Sequence, residues 1–269
     1  MIKTIKKITV CLVIIGLSAC ATVPMTGRRQ MNLLPSSEMA AMGFREYGKF
    51  MENNPVSSKQ QAVDDVKEVG AKISAVVEKY MKEIGQEAKL KHYEWEYNLV
   101  ADKTPNSWCM PGGKIVFYEG ILPYTKDKNG IAVVMGHEIA HAIARHGNER
   151  MSQGLVTQLG GMALAVAIQE KPEQTQQLFL LAYGIGSQVG VLLPYSRLHE
   201  KEADRLGLNF MAMAGYDPNG AIEFWERMSK SGGAKPPEWL STHPMDETRI
   251  AEMKKNLPEA FKRYQEAKK

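Results

Sequence analysis

The chain has 269 residues, 44% of them apolar and 24% charged, which is enough to bury a sizeable core and lacks the polar bias of a disordered chain. Thirty-four basic side chains stand against thirty acidic ones, and Lys3, Lys6 and Lys7 hold three of the four excess positive charges, so the rest is nearly neutral. No basic patch with interleaved aromatic residues stands out, which argues against a nucleic-acid partner.

The N-terminus reads as a secretory signal. Lys3, Lys6 and Lys7 precede the apolar run Ile8 to Leu17, and the small residues Ser18 and Ala19 lead to Cys20. An ordinary transmembrane helix needs about 20 apolar residues, so the run is too short to be one. Leu17-Ser18-Ala19-Cys20 resembles the bacterial lipobox, in which the thiol is acylated and the signal is cut before it. Residues 1–19 are thus expected to be removed and Cys20 to carry a lipid. Ala21 in place of an aspartate favours the outer membrane, so the expected location is a lipid anchor on its periplasmic face. Only Cys109 would remain as a free thiol, and it reads as a small buried apolar side chain with no disulfide partner.

Residues 20–34 mix Pro, Gly and basic residues without periodicity and predict a flexible tether, with a single domain over 35–269. Ser36-Ser37-Glu38 offers the start of a helix ending near Asn53-Asn54-Pro55. Ser57-Ser58 opens a second, in which Val63, Val66, Ile73, Val76, Val77 and Tyr80 share one face. From Tyr93 the period becomes two, with Tyr93, Trp95, Tyr97 and Leu99 alternating with polar neighbours as in a half-buried strand. Ser107 to Met110 and Lys114 to Tyr118 flank the turn Pro111-Gly112-Gly113, so a small antiparallel sheet of one hairpin and one further strand is expected. After Asn129-Gly130 the pattern is helical through Arg150. Residues 154–168 and 178–194 are apolar and Gly-rich, and the polar stretch Gln169 to Gln177 separates them. Each is shorter than a membrane span and reads as a core helix near the active site, with a membrane-dipping pair as the alternative. A charged helix from Arg197 to about Ala214, a turn at 215–219, another helix, a Gly/Pro loop at 231–237 and a polar terminal helix complete the chain.

The chemistry concentrates in His137-Glu138-Ile139-Ala140-His141, embedded in an apolar helical run. Two imidazoles one turn apart bind a single zinc ion, and the intervening glutamate stands beside the metal as general base. Zinc lowers the pKa of a bound water to about 7, and Glu138 takes its proton and passes it to the leaving amine. A catalytic zinc takes a third protein ligand. Ala144 and Gly147 exclude the metzincin pattern, and His146 is out of register. Ser196-Arg197-Leu198-His199-Glu200-Lys201-Glu202-Ala203-Asp204 offers Glu200 as ligand, with Asp204 one turn on to fix an imidazole tautomer. Glu202 lies about 200° away around the helix. His92 and His199 read as surface residues, and His146 as a packing or hydrogen-bonding residue at a helix end.

These two motifs, preceded by Pro105-Asn106-Ser107 and Pro111-Gly112-Gly113, resemble the zinc metallopeptidases that include the CAAX prenyl endopeptidase and HtpX, with the periplasmic members BepA and LoiP as the nearest expectation. The resemblance spans roughly residues 35–255. It implies an α+β, mostly helical gluzincin domain with a small sheet beside the active-site helix. It further implies one zinc per chain on His137, His141 and Glu200, with Asp204 behind them. Ser241-Thr242-His243-Pro244 with Arg249 is similar to an element of the periplasmic members, in which the His is either a displaceable fourth zinc ligand or an oxyanion stabiliser. Trp108 and Cys109 depart from the family's usual small residues and bear on a substrate pocket. An edge strand within 107–118 would pair with an extended backbone, which favours unfolded polypeptide. The function implied is hydrolysis of unfolded or misassembled envelope proteins. The alternatives are a non-catalytic envelope assembly factor or chaperone with a His-capped zinc, and a lipoprotein with a purely structural zinc.

Overall fold

The computed structural model describes residues 20–230, 239, 240, 243 and 247–269. The expected signal peptide at 1–19 and the loop at 231–237 lie outside the described residues, as does the side chain of Cys20. The chain divides into two compact units, one of residues up to 35 together with 145–196, the other of 36–144 together with 197–269.

In the first unit, residues expected to be a tether form a two-stranded antiparallel hairpin, β1 (Cys20–Thr22) and β2 (Arg29–Met31). Its partner is a helix of the same unit, His146–Ala167. Arg28 pairs bidentately with the buried Glu149 at 2.7 and 2.9 Å, the Leu33 N–H donates to Ser152 Oγ at 2.9 Å, and Asn148 Nδ2 donates to the Leu34 carbonyl at 2.7 Å. Composition alone hid this, because the tie is made by side chains far away in sequence.

In the second unit α1 (Ser36–Asn53) and α2 (Gln60–Glu83) are followed by β3 (Glu96–Val100), β4 (Ser107–Met110) and β5 (Lys114–Tyr118). The buried face of α2 carries Val63, Val66, Val69, Ile73 and Val77, at the expected three- and four-residue steps. The sheet is mixed, not antiparallel throughout: its order is β3-β5-β4, with β3 and β5 parallel and β4 and β5 antiparallel. Ile115, Val116 and Phe117 are all fully buried, and a strand apolar on both faces takes the central place. That leaves β4 at the edge, joined to β5 by Gly112 and Gly113 at φ +92° and +89°, a turn that residues with a Cβ rarely adopt.

A short helix, α3 (Leu122–Thr125), leads to α4 (Lys128–Ile143), which begins where Asp127 accepts from the Gly130 N–H at 2.9 Å. Nearly every residue of α4 is buried, so it is the central helix, packed against α2 and β4. The helix expected to run through Arg150 instead breaks at Arg145, whose φ of +56° is left-handed, and restarts as α5 (His146–Ala167). In the first unit α5 is followed by α6 (Glu173–Ser187) and a π turn (Gln188–Leu192). The helix continues as α7 (Leu193–Met213), then α8 (Asn219–Lys230) and α9 (Glu247–Ala267). Residues 154–168 and 178–194 are helical as expected but do not form a core: Leu159, Met162, Val166, Leu178 and Leu181 are each at least 60% exposed.

Candidate metal centre

Two helices of the second unit meet with almost no side chain between them. At Gly136 on α4 an added Cβ would lie 2.8 Å from the Gly207 carbonyl oxygen of α7, and at Gly207 it would lie 2.9 Å from the Gly136 carbonyl carbon. The backbones touch one residue before His137 and three residues after Asp204. Their neighbouring polar side chains therefore converge in a largely buried space.

His137 Nε2 lies 3.0 Å from His141 Nε2 and 3.1 Å from His243 Nδ1. The Glu200 carboxylate completes the group, 3.4 Å from His137 Nε2, 3.4 Å from His141 Nε2 and 3.1 Å from His243 Nδ1. Four tetrahedral donors at zinc's usual bond lengths stand about 3.3 Å apart, so these four fit one such ion. The donor chemistry agrees: three imidazole nitrogens and a carboxylate facing one point are better satisfied by a shared cation than by one another's protons. Burial works against the charge on His137, but the Asp204 and Glu200 carboxylates overcome it and lift this imidazole to about 9. Burial likewise disfavours the Glu200 carboxylate, yet the imidazoles of His141 and His243 hold it well below its ordinary range.

Around this group a second set of contacts fixes orientation. Asp204 Oδ1 is 3.0 Å from His137 Nδ1, leaving Nε2 to face the ion. Arg249 donates to both Asp204 oxygens at 2.8 Å and to the His243 carbonyl at 3.2 Å, while its guanidinium stacks 4.1 Å above the Trp225 ring. Burial raises the Asp204 carboxyl, but Arg249, with His137 in support, brings it below its ordinary value. The buried Glu138 receives the Trp239 indole N–H at 2.8 Å on Oε1, and His243 Nε2 stands 3.4 Å from the same oxygen. Trp239 stacks on Trp225 with ring centres 4.9 Å apart.

All seven residues expected at the centre therefore come together: His137, Glu138, His141, Glu200, Asp204, His243 and Arg249. Glu202 is buried but outside the donor group. His199, expected at the surface, is 1% exposed, since this charged helix is buried along most of its length; His92 is half-buried. Trp239 and Trp225 escaped the sequence reading. Trp239 lies four residues before His243, with the His243 N–H bonded to its carbonyl at 2.8 Å, and that one-turn spacing is the signal that would have found it. The Cys109 thiol is pushed well above its ordinary value by burial and, secondarily, by the Glu138 carboxylate.

Comparison with known proteins agrees with this geometry. Residues 70–257 match the model of peptidase family M48. The mitochondrial metalloendopeptidase OMA1 of Schizosaccharomyces pombe is 37% identical over 186 residues, 68% of this chain and 53% of the relative. The mitochondrial metalloendopeptidase OMA1 of Bos taurus is 32% identical over 251 residues, 89% and 46% respectively. The beta-barrel assembly-enhancing protease of Escherichia coli is 29% identical over 167 residues, 59% and 33%. The chain spans about half the length of the OMA1 relatives it matches. These similarities correct two expectations. The higher identities belong to mitochondrial proteins, so the periplasmic members are not the nearest resemblance, and a location on the periplasmic face of the outer membrane is overturned.

Proposed function

This chain belongs to peptidase family M48, and from that premise we propose that it is a zinc-dependent endopeptidase, with His137, His141 and Glu200 holding one zinc ion and Glu138 serving as general base. The observation that carries the reading is the meeting of donor atoms from α4 and α7 at 3.0 to 3.4 Å, with a buried carboxylate beside them. Zinc, when bound, supplies Lewis acidity to a peptide carbonyl and lowers the pKa of a water to about 7. Glu138 accepts that water's proton and passes it to the departing amine, and the Trp239 N–H keeps its carboxylate turned toward the centre. Asp204 fixes the His137 tautomer, and Arg249 holds Asp204 and the His243 carbonyl in register. Both are positioning residues. His243 Nδ1 lies 3.1 Å from both His137 Nε2 and the Glu200 carboxylate, so we assign it as a fourth donor that would give way to substrate.

The substrate we infer is unfolded or misassembled polypeptide. The outer edge of β4 pairs with no strand among the described residues, and β4 packs on the helix that bears the histidines. An extended backbone added there would be bound through main-chain hydrogen bonds, with little regard to side chains except beside Trp108 and Cys109. The mitochondrial relatives lend no support to the cell envelope as the source of those substrates. Acylation of Cys20 rests on the Leu17 to Cys20 string, and the intact mass of the isolated chain reads it.

Glu138→Gln tests the assignment. The variant should retain stoichiometric zinc and lose casein cleavage by ~10² to 10⁴-fold. Undiminished turnover would remove Glu138 as base. A non-catalytic assembly factor would predict equal rescue in cells by the wild type and Glu138→Gln. The Trp239 contact held to that carboxylate favours the enzyme.

A further inference from the structure

Residues 151–169 and 174–196 contain no Asp, Glu, Lys or Arg, and Glu170, Lys171 and Glu173 lie between them. In the first unit these stretches fold as α5 and as α6 with its continuation, paired where Tyr183 Oη donates to the Thr157 carbonyl at 2.9 Å. Fifteen of the twenty large apolar side chains that stand exposed among the described residues fall between Met151 and Tyr195, so the exposure is concentrated in this one hairpin. Glu173–Met213 is one helix long and apolar enough to cross a membrane, and none of its most apolar stretch is buried.

The distribution of these side chains points to what covers them. Leu178, Phe179, Leu180 and Leu181 occupy successive positions, so at 100° per residue they face every side of α6, and all four are exposed. A protein partner or a second copy covers one face of a helix, whereas apolar surface on all faces calls for a solvent that is itself apolar. Charge is arranged to match. At one end the exposed Arg29 and Arg150 flank the hairpin's base and Arg197 directly follows it, while the opposite tip carries Glu170, Lys171 and Glu173. Twenty-three uncharged helical residues at 174–196 extend about 34 Å, comparable to a hydrocarbon layer of about 30 Å. Helical backbone satisfies most of its polar groups internally, as a lipid setting requires.

We propose that the α5–α6 hairpin is a membrane-embedding element, its uncharged length within the hydrocarbon layer of a bilayer and the exposed arginines at its base set against lipid phosphates. The peptidase reading does not depend on it, and its test reads lipid binding and not cleavage.

The chain from residue 20 onward, the form expected once residues 1–19 are removed, carries Cys20→Ser so that neither an acyl group nor the apolar run 8–17 is present, and is mixed with vesicles of phosphatidylcholine and phosphatidylglycerol and floated through a density step. It should rise with the vesicles. Leu159→Asp with Leu181→Asp changes residues 63% and 61% exposed, so little packing is lost, and should lower the bound fraction about a hundredfold while helix content and bound zinc stay unchanged. A second measurement needs no substitution: vesicles should protect 155–168 and 178–194 from a soluble protease that cuts them in buffer. Failure of the parent chain to float, equal flotation of both chains, or unprotected segments would each overturn the proposal. Concentration-dependent self-association without flotation would overturn it in favour of a second copy of the chain.

Discussion

The Trp239 indole N–H is bonded at 2.8 Å to the Glu138 carboxylate, so the proposed general base is steered by a ring 101 residues further along the chain. Trp239→Phe removes that donor and preserves most of the stack on Trp225. A hydrogen bond to a charged group contributes about 1.5 to 3 kcal/mol, so kcat should fall roughly ten- to a hundredfold with KM and zinc content little changed. Steady-state kinetics on an unfolded substrate checks this. A rise in kcat would instead identify the contact as a restraint on the base.

Gly207→Ala places a methyl group against the backbone of Gly136 and His137, where no rotamer change relieves it. The helices must part by some tenths of an ångström, taking Glu200 and Asp204 away from the histidines. Zinc affinity should drop at least tenfold, measured by competition with a chromogenic chelator. An alanine variant with native affinity would show that the close approach is incidental.

Chelation should destabilise the chain, because a zinc ion held by His137, His141 and Glu200 would join α4 to α7, and an unfolded chain holds no such group. With zinc about a thousandfold above its Kd the linkage stabilises by about 4 kcal/mol, or roughly 10 °C in Tm for a chain of this size. His243→Ala should keep most of that difference, since three donors remain. Scanning calorimetry with and without chelator separates the two.

The Asp204 carboxyl lies below its ordinary value, so its pairing with Arg249 and His137 contributes stability that is fully present above about pH 3.9, the ordinary value of a free aspartate. As the pH falls through the lower folded value, the protonated carboxyl gives that contribution up. In the metal-free chain the Tm gap between wild type and Asp204→Asn should be widest at about pH 6, narrow as the pH rises toward about 9 where His137 gives up its charge, and close in acid. A gap that widens below pH 4 would contradict the assignment.

The candidate metal centre was legible because its residues obey short spacings: one helical turn between His137 and His141, one between Glu200 and Asp204. The helices around it were legible through periodicity, as in α2. What escaped lacks a local code. Nothing about an arginine announces the left-handed turn at Arg145 that ends α4. The central place of β5 depends on which strand is buried on both faces, and only the assembled sheet decides that. Apolar residues 154–194 look the same in sequence whether the chain surrounds them or leaves them bare, which is why they read as core. Trp239 carries no motif of its own, and its role follows from the fold that brings it to Glu138.

The contact between Gly136 and Gly207 also sets a calibre. Two backbones already touching cannot draw nearer for a small ion, and the buried strands and helices behind them resist drawing apart for a large one. Calcium, which wants six to eight oxygens at about 2.3 to 2.6 Å, finds neither the room nor the donors here. Discrimination among cations is therefore written partly in main-chain spacing, out of reach of any exchange of one ligand for another.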